Sequence, residues 1–523
     1  MYGVGAINPV LGGVLAAVVV APVLVATLAL TPVRYRPRLL GRLGAVSAGV
    51  GFAGAAVLAA GAATSHYGSF AVSVFGIGTD RLAVVLLLLV FGVSAIVQTF
   101  ALRYLSGDSR MTWFTAGAGL LTSASAGLMA ATTTVALAAC WTLAGAALCL
   151  LLGMYRELPA ARDGVRRAAK AFLVGDLALW AAVGIVKLQW GVHEIRDLDA
   201  RQVTGPVAVL VGLLIVTAAL SRAAQLPFHR WLPATLAAPT PVSALLHAGV
   251  VNAGAVLLIR FSPLVTADLA RGVTIVAGAA TMVYGAVIML VKPDIKGGLA
   301  HSTMAQMGFM TLTCGLGLWA AAVFHLVAHG FYKATLFLSS GSAISYRRRQ
   351  AFAPPAQQLA RRRLALNAIP AVLLPLLALA VAGIVAPLGS AGDPATHALL
   401  LFAWVSAAAA LWGWLKRRPT PSGVAVAAAV LMPIAVVYVT LIDTISRFLA
   451  PALPATGVNA ATTWLIAAAA LVVLGCLAAL RRATIPRRLQ HVLYTRALSA
   501  GHIATPVIGS TTPTTAHLTG AHP

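Results

Sequence analysis

The sequence predicts an all-α polytopic membrane protein with about 14–15 transmembrane helices, and three observations carry that prediction. The 523-residue chain is 60% hydrophobic and only 9% charged, with a mean hydropathy of +0.91; a water-soluble chain of this length needs a far larger charged surface. Apolar stretches of roughly 20 residues, enough to cross about 30 Å of hydrocarbon, succeed one another along almost the whole sequence. Basic residues gather in the short connections between them, at Arg34, Arg36, Arg38 and Arg42, from Arg156 to Lys170, from Arg347 to Arg363, and from Lys416 to Arg418. That is the distribution that orients a chain in a membrane.

The first apolar run, 9–30, has no basic segment before it and is followed by TPVRYRPR. A signal peptide shows the opposite polarity, so the run reads as a retained span. Further spans are expected near 43–64, 82–102, 113–131, 133–155, 168–188, 205–226, 243–261, 268–291, 296–315, 317–345, 362–384, 398–415, 423–448 and 460–480. With residue 1 outside, most of the 37 lysines and arginines fall on the cytoplasmic side, the acid-rich KLQWGVHEIRDLDARQ falls outside, and the C-terminus is cytoplasmic. The final TPVIGSTTPTTAHLTGAHP has a composition expected to stay disordered and solvated. A net charge of +25 and a pI of 11.3 also suit a phosphate binder, but membrane orientation accounts for where the charges lie, so no nucleic-acid role is expected.

Cys140, Cys149, Cys314 and Cys476 lie inside apolar runs without a CxxC pair and read as small core residues. No GxGxxG or Walker sequence occurs in a strand–turn–helix setting, and no segment longer than a loop offers room for a nucleotide fold. No cofactor is expected, and any transport draws on a gradient or a partner.

A charge at mid-bilayer costs about 2.5–3.5 kcal/mol on insertion scales, so ionisable residues inside spans need a partner or a hydrated cavity. Arg222 ends a span and is followed by Pro227, Pro233, Pro239 and Pro241. It reads either as an arginine snorkelling to the interface or as a fixed cation at a helix discontinuity. His247 follows two of those prolines and is either bonded to a carbonyl or a proton relay. Asp176 is one of very few carboxylates within a span; it needs a cation or a proton, and pairing with Arg222 would make either a structural ion pair or a coupled proton site. His325, His329 and Lys333 recur at i, i+4 and i+8, one stripe of one helix. Without an HExxH glutamate or a third ligand, the two histidines do not suggest a metal. Lys296 opens a span whose Ser302, Thr303 and Gln306 give it a polar side. There KGG suggests a broken or irregular helix lining a cavity, with an orienting surface lysine as the alternative reading. Asp176, Arg222, His247, Lys296, His325, His329 and Lys333 together read as an ion path, with no catalytic residue among them.

Three stretches, AAQLPFHRWLPATLAAPTPVSALLHAG, DIKGGLAHSTMAQMGFM and HLVAHGFYKATLFLSSGS, resemble the antiporter-like subunits of respiratory complex I and of Mrp-type antiporters, over roughly residues 80–345. The resemblance implies two inverted five-helix repeats with broken helices: N-terminal helices over 1–110, repeats over 111–262 and 263–450, a last helix in 451–482 and a disordered cytoplasmic tail over 483–523. It also implies a proton path through the positions of Thr142, Arg222, His247, His325, His329 and Lys333. Two of these depart from the family pattern. CWTLAG has Thr142 where the family has glutamate, and Arg222 replaces lysine; threonine cannot ionise and arginine does not release its proton near neutrality. The second broken helix lacks its expected Lys or Glu, with Asp393 the only acid in APLGSAGDPATH. These departures, with HAGVVNAGAVLLIRFSPL, RELPAARDGVRRAAKAFLVGD and STMAQMGFMTLTCGLG, look most like the membrane subunit of DAB-type inorganic-carbon pumps. That likeness implies a large zinc-containing cytoplasmic partner similar to a β-carbonic anhydrase, on which H⁺ or Na⁺ flow drives CO2 hydration. A proton-translocating subunit of an NADH–quinone oxidoreductase-like complex or an Mrp-type antiporter is the alternative.

Overall fold

The computed structural model describes residues 9–31, 36–64, 69–72, 76–200, 203–343, 345, 361–387, 394–418, 420–454, 468 and 487–502. Nearly all of the expected span 460–480 with Cys476, the basic stretch 347–360, Asp393 and the ending from 503 onward lie outside the described residues. The helices are α1 (Pro9–Leu28), α2 (Pro37–Thr64), α3 (Arg81–Tyr104), α4 (Met111–Ala130), α5 (Thr134–Leu152), α6 (Pro159–Trp190), α7 (Asp197–Ala200), α8 (Pro206–Arg222), α9 (Thr240–Ala248), α10 (Ala253–Arg260), α11 (Ser262–Val265), α12 (Asp268–Val291), α13 (Ile295–Gly315) and α14 (Trp319–Leu338), followed by α15 (Arg361–Val385), α16 (Pro394–Arg417), α17 (Pro421–Leu449) and α18 (Arg487–Ala500). All the expected spans but the last fall on these helices, and among the described residues eleven helical stretches are long and apolar enough to cross a membrane. The protein is a multi-span membrane protein. Its burial pattern fits lipid as solvent: Leu173, Leu177, Val276, Leu290 and Val437 are exposed on helix flanks, while Gln98, Arg222, His247, Asn252, His329 and Lys333 are buried.

The prolines after Arg222 break the helix inside the bundle. α8 stops at Arg222, two short 3₁₀ turns follow at Phe228–Trp231 and Pro233–Thr235, and α9 starts at Thr240 with Pro241 in its first turn, where a missing N–H costs nothing. The freed backbone finds partners within the protein: Leu226 N–H donates to Thr281 Oγ1 at 3.0 Å, and Trp231 Nε1 donates to the Ser221 carbonyl at 2.9 Å. A second irregularity, the 3₁₀ turn Val250–Asn252, separates α9 from α10. Every residue from Thr240 to Arg260 is buried except Gly249 and Arg260, which are half-buried, and this puts the broken helix at the centre of the bundle. α12 and α13 pack closely beside it. A Cβ at Gly278 or Gly285 would stand 2.6 Å from the backbone nitrogen of Leu312 or Ala305, so only glycine admits this approach.

Three expectations change. α13 is one unbroken helix, not the irregular one KGG suggested. Asp294 caps it, accepting from Gly297 N–H at 2.5 Å, and a Cβ at Gly297 would collide with that carboxylate, so the glycine serves the cap. The otherwise all-α chain also contains an antiparallel hairpin, β1 (Ser69–Val72) with β2 (Ile77–Asp80). Beyond it, Ile77 bridges Ala131 and Thr133 bridges Glu194, with Thr132 N–H donating to Gly76 O and Ile195 N–H to Thr132 O, both at 2.8 Å. Gly76 has φ +69°, and a Cβ there would sit 2.6 Å from Thr133 Oγ1. Three connections at one end of the bundle thus share a backbone ladder. Finally, residues 487–500 of the expected disordered tail form α18, whose Leu489, Val492 and Leu493 recur at helical spacing among arginines; Ala500 O accepts from Tyr284 of α12 at 2.9 Å.

Candidate ion-translocation site

The first cluster forms where α5, α6 and α8 meet. Arg222 is fully buried at the end of α8. Its Nη2 donates to Asp176 Oδ1 at 2.9 Å and its Nη1 to the Trp141 carbonyl at 3.1 Å. Its Cζ lies 4.5 Å from the Trp141 ring centre and 4.4 Å from that of Phe172, so two aromatic faces add cation–π attraction in a dry setting. Trp141 Nε1 donates to the same Asp176 oxygen at 2.9 Å. Gly145 makes the room, since a Cβ there would stand 2.8 Å from Nη2. Side-chain exposure is 0% for Arg222 and 16% for Asp176, so the carboxylate is the less enclosed member of the pair. The counter-charge comes from α6, not from the α5 position held by Thr142, whose hydroxyl accepts from Trp180 Nε1 at 3.1 Å.

The second cluster lies along α14. His325, His329 and Lys333 are all buried. The two imidazoles stack with centroids 5.8 Å apart, and Phe309 meets His325 edge-on at 5.1 Å. Lys333 Nζ donates to Ser302 Oγ of α13. One turn beyond Lys333, Phe337 stacks on His247 of α9, centroids 4.3 Å apart, and His247, His325 and Lys333 lie within electrostatic range of His329. Neither ring nitrogen of His329, nor Nδ1 of His247, has a hydrogen-bond partner among the described residues. Lys296 stands apart from the stripe: its Nζ donates to the Ala238 carbonyl at 2.9 Å, which ties α13 to the broken segment.

Two features escaped the sequence reading. His301 is buried in α13, its Nδ1 donating to the Gly297 carbonyl at 2.8 Å. The signal was present, a titratable ring within an apolar span one position before Ser302. At the hairpin end, Arg260 closes α10 on Asp80, with Nη2 donating to Asp80 Oδ1 at 3.1 Å and to the Met129 carbonyl at 3.2 Å. Asp80 also caps α3 through Ala83 N–H at 2.6 Å. Burial alone would raise the Asp80 pKa, but the Arg260 charge and hydrogen bonds, with Ala83 N–H, hold it below the ordinary carboxylate value.

A broken central helix flanked by buried cations and histidines defines an antiporter-like membrane protein. The chain belongs to the NADH:quinone oxidoreductase/Mrp antiporter transmembrane family, which it matches over residues 131–415, and residues 66–115 match the N-terminal segment of complex I chain 5. It is 36% identical over 274 residues to the probable inorganic carbon transporter subunit DabB1 of Halothiobacillus neapolitanus, covering 51% of this chain and 49% of the relative. It is 35% identical over 274 residues to the probable inorganic carbon transporter subunit DabB of Bacillus subtilis, covering 51% and 53%. To NADH-quinone oxidoreductase subunit L of Mycobacterium tuberculosis it is 34% identical over 276 residues, covering 52% and 44%. The chain thus spans about half the length of the curated relatives it matches. Among solved structures, the Mrp complex of Dietzia sp. shares the fold with a TM-score of 0.56 at 23% identity, covering 94% of this chain and 62% of that one.

Proposed function

We propose that this chain is the cation-conducting (H⁺ or Na⁺) membrane subunit of an energy-coupled inorganic-carbon transporter. In this reading, ion flow through it drives CO2 hydration on a zinc-containing, β-carbonic-anhydrase-like cytoplasmic partner. The observation that carries the proposal is the 35–36% identity to DabB subunits over 274 residues, about half of this chain. The rebuilt first cluster supports it. Arg222 keeps its proton near neutrality, so exchange in that pair falls to Asp176, the less enclosed member and the one whose side chain can take up a proton. Protonating Asp176 removes the counter-charge from a guanidinium that cannot itself neutralise, raising the local potential. His247, His329 and Lys333 continue the route, Lys333 exchanging its proton against Ser302 and the imidazoles. Residues 111–262 and 263–450 act as the two repeats of this route, in the cell membrane with the hairpin end outside. The chain itself carries out no covalent chemistry.

The test is growth of a carbonic-anhydrase-deficient bacterium in ambient air, with this chain expressed with and without its zinc partner. Rescue is expected only with the partner, and Lys333→Ala at normal membrane levels is expected to abolish it. No rescue by a verified assembled pair overturns the proposal. The second reading, a proton-translocating subunit of an NADH–quinone oxidoreductase-like complex or Mrp-type antiporter, is favoured by the 34% identity to the Mycobacterium tuberculosis subunit L, and co-purification of further membrane subunits would support it.

A further inference from the structure

A cavity of about 40 Å³ opens beside Arg222, between α3, α4 and the α9–α10 kink, with Leu326 of α14 in its wall. Most of its wall is leucine, valine and alanine, but the polar groups converge. Ser94, Thr122, Ser125, Arg222 and Asn252 line it. Two of them are buried and incompletely bonded: Arg222 Nε, a donor, and Asn252 Oδ1, an acceptor, have no hydrogen-bond partner among the described residues. Asn252 is held in place by its other end, Nδ2 donating to the Ala248 carbonyl at 2.8 Å, so its oxygen is fixed rather than free to turn away. On the far wall, the Ser94 and Thr122 hydroxyls lie 2.6 Å apart, and Gln98 Nε2 donates to Ser94 Oγ at 2.9 Å. The wall ends at Met129, whose carbonyl accepts from Arg260 of the Asp80 pair.

Arg222 and Asn252 both line this largely apolar space, one with an unanswered donor and the other with an unanswered acceptor; that combination matches neither an anion nor a cation, since each ion would leave one of them unanswered. Water answers both, and the volume holds about three molecules. An orphaned buried polar group costs about 1–3 kcal/mol, so a dry chamber would be costly on both counts. We propose that this chamber binds a small water cluster bridging Arg222 Nε to Asn252 Oδ1, and that it forms a side branch of the ion route from the Asp176–Arg222 pair between α3 and α4 toward the hairpin end. The Arg260–Asp80 pair closes the branch there, and Asn252 is its positioning residue. The branch rests on the ion-conducting reading of the first cluster; the hydration does not.

The test combines a structure of the full chain in lipid nanodiscs, at a resolution that shows ordered solvent, with ion flux in proteoliposomes. Solvent density within hydrogen-bond reach of both Arg222 Nε and Asn252 Oδ1 is expected. Asn252→Leu, which removes the acceptor and fills the space, is expected to lower flux about tenfold. Asn252→Ser keeps an oxygen and leaves room for one more water, and its flux is expected within about twofold of wild type. A chamber without solvent density overturns the proposal, as does wild-type flux in Asn252→Leu or equal loss in the two variants. If the wild-type chain shows no flux under any partner condition, the functional reading fails, and the density alone decides whether the chamber holds water.

Discussion

At the scale of single residues, the first cluster turns on one carboxylate. Asp176→Asn would leave Arg222 buried without a counter-charge, a loss of about 3–5 kcal/mol, and would remove the carboxylate to which the proposed function assigns proton exchange. A lower apparent melting temperature in detergent and loss of growth rescue are expected together, with Asp176→Glu recovering part of both. Gly145→Ala separates geometry from charge. Its methyl would stand 2.8 Å from Arg222 Nη2, so the guanidinium must leave its place between Trp141 and Phe172. Reduced rescue at normal membrane levels is expected; unchanged rescue would show that the aromatic clamp is dispensable. The opposite charges of Asp176 and Arg222 were legible in the sequence because an apolar span offers a buried ion few partners. The relocation of the counter-charge from α5 to α6 was half legible: Thr142 announced the loss, and only packing shows that Trp141 and Asp176 share one arginine. His301 was overlooked because the lysine and hydroxyls around it drew the reading, though the cost of burying a titratable ring applies to it equally.

At the scale of elements, the long helices were legible because an apolar run of about 20 residues is a signal that bilayer thickness enforces. The hairpin was not, since two four-residue strands have no such constraint and owe their pairing to what flanks them. KGG misled because paired glycines read as a breaker, while in α13 one of them makes space for a capping carboxylate. The Asp80 cap and its ion pair with Arg260 give a stability term with a defined pH range. Its carboxyl is held below its ordinary value, so the contribution is fully present above the unfolded pKa of about 3.9 and is lost as pH falls through the lower folded value. The melting-temperature gap between wild type and Asp80→Asn is therefore expected to stay constant from pH 8 to pH 5 and to close only below about pH 4. A gap that closes at neutral pH would reject this assignment.

At the scale of the molecule, the charge distribution predicts which end faces the cytoplasm. In a cysteine-free background, a Ser109→Cys variant is expected to react with an impermeant thiol reagent only from the cytoplasmic side, and His193→Cys only from outside. Both positions lie in exposed connections, so the reverse result would invert the orientation and move the broken segment, with Lys296 and Ala238, to the other compartment. The gross order of the bundle was legible over the described residues, whereas its polar interior was legible only as a list of residues. Which of them meet depends on how α6, α8 and α13 approach one another, and close glycine contacts such as Gly278 and Gly285 set that approach.

The ladder that joins Gly76, Thr132 and Ile195 has a mechanical consequence. It makes the hairpin end of the molecule an abutment, and α10 is bolted to the same abutment, because Arg260 grips Asp80 and Met129 beside it. Among the described residues α9 has no hydrogen bond to this abutment; it is held instead at its start, where Tyr104 Oη donates to Thr240 Oγ1 at 3.3 Å, and the turn at Val250–Asn252 separates it from α10. A load delivered at the opposite end therefore meets α9 first, passes into α14 where His247 stacks on Phe337, and reaches the abutment only across that turn.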